Sequence, residues 1–249
     1  MKQVVRHTDR SALLAGYAAP PPEVHPPLLH AGYGSTRTRA PLRPPVPLPQ
    51  GLTELTGPLL GEDRLGEFDH DLTRQHDGEP VGQRILVQGR VLDGAGRPVP
   101  RTLVEIWQAN ASGRYVHAGD RWPGALDPNF TGLGRALTDD DGAYRFVTVR
   151  PGAYPWGNHE NAWRPAHIHF SLFGRAFTQR LVTQMYFPDD PLLEIDPILD
   201  AVPAQARRRL VSAYDHGITQ PQWALGYRFD IVLRGPEATP WETAEEHES

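Results

Sequence analysis

No cysteine occurs among the 249 residues. That excludes thiolate metal sites of the zinc-finger or iron–sulfur kind and rules out stabilisation by disulfides. A metal site here must draw on His, Asp, Glu or Tyr. No apolar run reaches membrane-spanning length, and the opening residues MKQVVRHTDRSALLAGY lack the unbroken apolar stretch of an export signal. A formal net charge of −5 leaves no basic footprint for nucleic acid or an anionic membrane. The expectation is a soluble, cytoplasmic protein without nucleic-acid or membrane partners, long enough to bury a sizeable core.

Proline, by contrast, is plentiful and clustered: Pro20-Pro21-Pro22, Pro26-Pro27, then Pro41, Pro44, Pro45, Pro47 and Pro49. Because proline has no N–H and a fixed φ, the segment 18–50 should run extended without a regular helix. Leu28, Leu29, Tyr33, Leu42 and Val46 are apolar groups that a solvated linker would not need. An arm that packs on its own domain or on a partner subunit is therefore expected.

From about residue 80 the chain turns to short runs of Val, Ile and aromatics separated by Gly, Asp and Pro. Arg84 to Leu92, Leu103 to Trp107, Tyr144 to Val149, Ala166 to Leu172, Leu181 to Phe187 and Tyr227 to Leu233 read as strands. Asp93-Gly94-Ala95-Gly96 and Thr138 to Gly142 read as turns. Many short strands without alternating helices predict an all-β fold, a β-sandwich. One short C-terminal helix is expected from Pro203 to about Tyr214, with Arg207, Arg208 and Arg209 on a solvated face. The organisation is then an arm over 1–79, a sandwich over 80–236 and an acidic tail over 237–249, frayed in its stretch WETAEEHES.

Arg164-Pro165-Ala166-His167-Ile168-His169-Phe170 carries the chemistry. On a strand, residues i and i+2 share a face about 7 Å apart, so both imidazoles can converge on one ion while Ala166, Ile168 and Phe170 face an apolar core. By itself the pair is unspecific, since any half-buried strand alternates in this way. Upstream stand Pro151-Gly152-Ala153-Tyr154-Pro155-Trp156 and Leu103-Val104-Glu105-Ile106-Trp107-Gln108-Ala109-Asn110, the latter leading through Ser112-Gly113 to Arg114-Tyr115.

In these motifs, and along nearly its whole length to Leu233-Arg234-Gly235, the chain resembles the intradiol ring-cleavage dioxygenases, more particularly their β-type chains. The resemblance implies a transthyretin-like β-sandwich with one ferric ion per chain, held by Tyr115, Tyr154, His167 and His169. It makes Tyr154 and His169 axial, and Tyr115 and His167 equatorial. Arg164 would lie against the substrate ring, Tyr33 and Arg39 at the mouth, and Trp156, Gln184 and Ile198 along the pocket. Arg164 and Tyr154 would be the catalytic residues. Ala153 departs from the Pro that relatives often carry before the ligand Tyr. A homologous α chain is the implied partner in an αβ assembly, and an aromatic diol with dioxygen the implied substrates.

The residue types suit that chemistry. A free phenol has a pKa near 10, so a strongly Lewis-acidic ion is needed to hold phenolate at neutral pH. Ferric iron favours anionic oxygen, whereas two His with one carboxylate suit ferrous oxygenases. Three functions remain open: cleavage of protocatechuate beside an α chain, cleavage of catechol or hydroxyquinol by a chain acting alone, and a non-catalytic transthyretin-like binding module. The arm, standing where the last two enzymes carry a helical dimerisation region, favours the first.

Overall fold

The structure, a computed structural model, describes residues 21, 23–44, 65–157, 163–173 and 181–242. Expectations for Pro20, Pro22, Pro45, Val46, Pro47, Pro49 and for 243–249 lie outside the described residues. In chain order the strands are β1 Arg84–Leu92, β2 Leu103–Trp107, β3 Leu133–Leu137, β4 Ala143–Val149, β5 Tyr154–Pro155, β6 Trp163–Arg164, β7 His167–Phe173, β8 Leu181–Tyr186, β9 Ala213–Tyr214, β10 Leu225–Arg228 and β11 Ile231–Val232. The short helices are α1 Thr36–Arg39, α2 Pro197–Ala201 and α3 Ala204–Arg207.

Two sheets face each other. In the first, β1 pairs antiparallel with β4 on one side and parallel with β10, then β11, on the other, with β9 beyond β10. The second is fully antiparallel in the order β3-β2-β7-β8. Alternation sends Ile85, Val87, Tyr144 and Phe146 of the first sheet and Val104, Ile106, Ile168, Phe170 and Leu172 of the second into one core. Phe170 sits at its centre, with Phe146 at 5.9 Å, Tyr144 at 6.0 Å and Phe229 at 5.2 Å between ring centroids. A buried Phe of this kind contributes roughly 1.5–3 kcal/mol by leaving water.

The opposite face of β7 is not solvated, as simple alternation would suggest. All but the last residue of β7 are buried, and on that face His167 and His169 pack against Trp107, Tyr154, Tyr186 and Glu242. Tyr33 is completely buried and Thr36 nearly so. The Thr36 hydroxyl accepts from His30 N (3.0 Å) and lies 2.7 Å from the Tyr33 carbonyl, which shapes the turn that inserts Tyr33. Leu28, Leu29 and Leu42 of the arm stay exposed.

Several local expectations are corrected. The run Tyr227 to Leu233 breaks at Phe229-Asp230 into β10 and β11, where Asp230 Oδ1 accepts Arg90 N at 2.8 Å. Opposite the break stands Gly89, where a Cβ would lie 1.8 Å from the Phe229 carbonyl oxygen. The expected helix to Tyr214 ends at Leu210, after α3 and the 3₁₀ turn Arg208–Leu210. The chain leaves it because Ser212 N donates to the Tyr186 carbonyl at the end of β8 (2.9 Å), which draws Tyr214 into β9. The arginine run is not merely solvated: Arg207 Nε donates to the Val202 carbonyl (2.8 Å), and Arg209 pairs with Glu237 (3.0 Å). Nor is the start of the tail frayed, for Ala238 and Thr239 are buried and the Trp241 ring stacks on His25 at 3.5 Å. The arm does hold one helical turn, α1, between its prolines. Among the described residues no helix is long and apolar enough to cross a membrane.

Two expected outcomes follow from these contacts. Gly89→Ala should cost on the order of 3 kcal/mol of stability, read as a lowered melting temperature, because the added methyl collides with a carbonyl that cannot yield; an unchanged melting temperature would contradict the close approach. Burial, with Arg209 nearby, lowers the His25 pKa from 6.5 to about 4. The docked ring prefers to be neutral, so docking of the arm is full above pH 6.5 and weakens as pH falls from 6.5 towards 4. Hydrogen-exchange protection around His25 and Trp241, corrected for intrinsic rates, should fall over that interval and not above it.

Candidate metal centre

The register of the second sheet builds one row of side chains across its outer face. Trp107 lies opposite His169, which lies opposite Gln184, and in the next row His167 lies opposite Tyr186. The indole of Trp107 stacks on the His169 ring at 4.8 Å with an interplanar angle of 2°. Tyr154, in β5, is paired with Arg164 of β6, so the strand end that delivers the phenol also delivers the guanidinium.

Tyr115 arrives from a loop organised by Asn110. The Asn110 Oδ1 accepts from Ser112 N (2.9 Å) and Arg114 N (3.0 Å). Gly113, at φ +77°, completes that turn, and a Cβ there would lie 2.3 Å from the Ala153 carbonyl oxygen. Asp120 then fixes the Tyr115 backbone, its carboxylate accepting from Tyr115 N at 2.8 Å. The Tyr115 ring meets the Tyr154 ring edge-on at 5.5 Å.

Three donor atoms converge. His167 Nε2 lies 3.2 Å from His169 Nε2 and 3.3 Å from Tyr154 Oη. A carbonyl and a carboxylate occupy the far nitrogens: His167 Nδ1 donates to the Pro165 carbonyl (2.7 Å), and His169 Nδ1 lies 3.2 Å from Glu242 Oε2. With Nδ1 carrying the proton on each neutral ring, both Nε2 atoms present lone pairs to one another. Such a contact needs a shared proton or a shared cation. Two imidazole nitrogens each about 2.1 Å from one ion and roughly at right angles would stand about 3 Å apart, which is the spacing found. Burial, then the charge of Arg164, holds the His167 pKa well below 6.5, in the neutral form that binds metal. Among the described residues no group of three or more His, Cys, Asp or Glu could hold a metal, so an ion at this position depends on Tyr donors.

Beside the donors is a buried ion pair. Arg164 and Asp196 are both 0% exposed, with Nε and Oδ1 3.1 Å apart. Asp196 Oδ2 accepts the Tyr186 hydroxyl at 2.8 Å, and burial with Asp196 alongside pushes the Tyr186 phenol well above 10. Gln184 Oε1 accepts from Arg164 Nη2 and lies 2.9 Å from the Tyr186 hydroxyl oxygen. The guanidinium carbon also lies 5.5 Å from the centroid of the Trp156 ring. Trp156 in turn meets Tyr33 at 5.3 Å, Arg39 stacks over Tyr33 at 4.6 Å, and Ile198 joins the same apolar cluster. All ten residues singled out from sequence are thus brought into one connected region. Sequence reasoning missed Asp196, Tyr186 and Glu242. Tyr186 shares the period-two face with Gln184, and Asp196 before Pro197 is a helix-cap signal; Glu242, far along the chain in an acidic tail, carried no signal.

Two family profiles match the chain, one described as "Dioxygenase" over residues 55–235 and one as "Protocatechuate 3,4-dioxygenase beta subunit N terminal" over residues 17–51. The chain belongs to the intradiol dioxygenase family. It is 58% identical over 220 residues to the protocatechuate 3,4-dioxygenase beta chain of Burkholderia cepacia, covering 88% of this chain and 94% of that one. It is 33% identical over 161 residues to the alpha chain of the same organism's enzyme, covering 64% and 76%. A solved structure of 3-chlorocatechol 1,2-dioxygenase from Rhodococcus opacus 1CP superposes with a TM-score of 0.52 at 22% identity, over 68% of this chain and 65% of that one, a likeness of fold. Intradiol dioxygenases are non-haem iron enzymes, and a His and Tyr donor set fits that metal.

Neutralising one partner of the buried pair isolates the other. Asp196→Asn leaves Arg164 buried without its counter-charge and should cost about 3–5 kcal/mol of stability, measurable by thermal or urea unfolding. Stability within experimental error of wild type would show that Arg164 does not depend on the pair.

Proposed function

We propose that this chain is the iron-bearing β subunit of a protocatechuate 3,4-dioxygenase, cleaving protocatechuate between its hydroxyl-bearing carbons to 3-carboxy-cis,cis-muconate, as in aromatic catabolism through the β-ketoadipate pathway. The observation that carries the reading is the convergence of Tyr154 Oη, His167 Nε2 and His169 Nε2 within 3.3 Å, beside Tyr115, in a chain of this family. Tyr115, Tyr154, His167 and His169 hold one ferric ion per chain. When bound, a ferric ion would supply a Lewis acid for the diolate to chelate, which would make the ring reactive towards dioxygen.

The chain's own residues do the rest. Tyr154 Oη, as phenolate, accepts one of the two catechol protons. Arg164, permanently charged and fixed between Asp196 and Gln184, stabilises negative charge as it builds on the ring. Gln184 Nε2 is buried with no partner among the described residues and is available to donate to a substrate oxygen. Trp156, Tyr33 and Ile198 wall the pocket and exclude water, and Arg39 offers a cation at its mouth for the substrate carboxylate. Both atoms of dioxygen stay in the product, so no external reductant is needed.

A homologous α chain completes the assembly and part of the pocket, and the reading carries with it a cytoplasmic location. On this reading the arm over 1–79 meets the α chain, 80–236 is the catalytic sandwich, and 237–249 is a tail whose first residues, to Glu242, pack on that sandwich. Similarity to both the beta and the alpha chains of one enzyme supports this pairing.

Variants separate the roles. His167→Ala should lose the iron, while Tyr154→Phe should keep it and slow chelation of the substrate. Arg164→Ala should keep the iron and lower kcat by about 10²- to 10³-fold, as when other preorganised donors are removed. Full iron and activity in the His167 variant would take that residue out of the ligand set. Turnover of protocatechuate over catechol by the αβ complex tests the substrate; a chain equally active alone on catechol would favour the stand-alone enzymes.

A further inference from the structure

Glu242 lies beyond the residues matched by the family profiles, in a segment whose composition suggested a solvated tail. Its side chain is nevertheless only 2% exposed, and Oε2 lies 3.2 Å from Nδ1 of the equally buried His169. We propose that Glu242 is a positioning residue for the metal ligand His169: its carboxylate accepts the Nδ1–H and so holds the imidazole in the tautomer and ring flip that aim Nε2 at the donor cluster. The proposal rests on the metal-centre reading above.

The neighbouring groups divide the work. Trp107, stacked parallel on the His169 ring, sets the plane of the imidazole. Stacking cannot distinguish the two flips of a ring within that plane, because a half-turn about Cβ–Cγ exchanges Nδ1 with Cδ2 and Nε2 with Cε1. Only a directional acceptor on the far side separates them, and Glu242 is that acceptor. His167 is oriented by a neutral acceptor, the Pro165 carbonyl. The two imidazoles therefore differ in strength as donors, since a carboxylate makes its ring a better metal donor than a carbonyl does.

The carboxylate is delivered on a strap anchored along the whole of its path. Thr239 N donates to the Val232 carbonyl (2.8 Å), the Thr183 hydroxyl to the Pro240 carbonyl (2.7 Å), and Glu242 N to the Val182 carbonyl (2.7 Å). Trp241 N donates to His25 Nδ1 at 3.2 Å beneath the stacked rings, so the N-terminal arm clamps the residue next to Glu242. Glu242 Oε1 is buried with no hydrogen-bond partner among the described residues. A carboxylate so placed, beside a neutral imidazole, is costly unless positive charge lies behind the ring, which is where a cation held by Nε2 would be.

The test uses the full-length, iron-loaded protein with its α partner, and compares Glu242→Ala and the near-isosteric Glu242→Gln with wild type. Iron retention against a competing chelator and the position of the tyrosinate-to-iron absorption band are read beside the melting temperature. Glu242→Ala should lose iron about 10- to 100-fold more readily and shift the band, the usual scale for removing an outer partner of a ligand; Glu242→Gln, folded as wild type, should shift the band as well. Wild-type iron retention and an unmoved band in both variants would overturn the assignment, as would iron loss that merely tracks unfolding with the band unmoved. A wild-type protein that takes up no iron and shows no band would instead remove the metal-centre reading itself.

Discussion

The structure turns on a single constraint, the two-residue period of strand β7. Successive side chains of a strand point to opposite faces, and in His167–Phe173 that period assigns Ile168, Phe170 and Leu172 to the core between the sheets and His167 and His169 to the other face. The same residues that anchor the sandwich thus aim the imidazoles. A shift of register by one residue would bury both rings in the aromatic cluster around Phe170 and push that phenylalanine into the metal pocket. Fold and site are therefore specified by the same backbone, and a rigid sheet gives the two nitrogens a spacing that a loop could not hold.

Around this pair the protein assembles groups that would be unfavourable if buried singly. Arg164 and Asp196 are wholly buried, and each is tolerated because the other is 3.1 Å away and because Tyr186 donates to the carboxylate while Gln184 accepts from the guanidinium. Breaking such a network costs far more than its formation contributes. What it secures is a fixed, buried guanidinium, which on the proposed function would act on a developing anion with little of the screening that water imposes. The arm closes that pocket by inserting Tyr33 against Trp156 and Ile198, and the C-terminal strap closes it from the other end of the chain.

Much of this was legible in the sequence, for identifiable reasons. Strands β1, β2, β7 and β8 announce themselves because their β-branched and aromatic residues alternate with the pleat, and the donor residues because they stand in short, specific motifs. Strand β3 was not legible: Gly134 and Arg135 weaken its pattern, and it is stabilised by pairing with β2 rather than by its own composition. The break at Phe229-Asp230 was hidden for a similar reason, since it depends on Gly89, remote in sequence. The helix was overextended because propensity favoured continuing to Tyr214, whereas the backbone of Ser212 binds the end of β8. In the site, Asp196 and Glu242 were missed because the partners that give them meaning, Arg164 and His169, are brought near only by the fold.

The proposal that Tyr115, Tyr154, His167 and His169 hold a ferric ion to which a catechol binds stands or falls on the visible absorption spectrum of the iron-loaded protein before and after anaerobic addition of protocatechuate. A strong tyrosinate-to-iron charge-transfer band that shifts when protocatechuate binds is expected of such a site. A colourless protein that takes up no iron, even with its partner chain present, would contradict it.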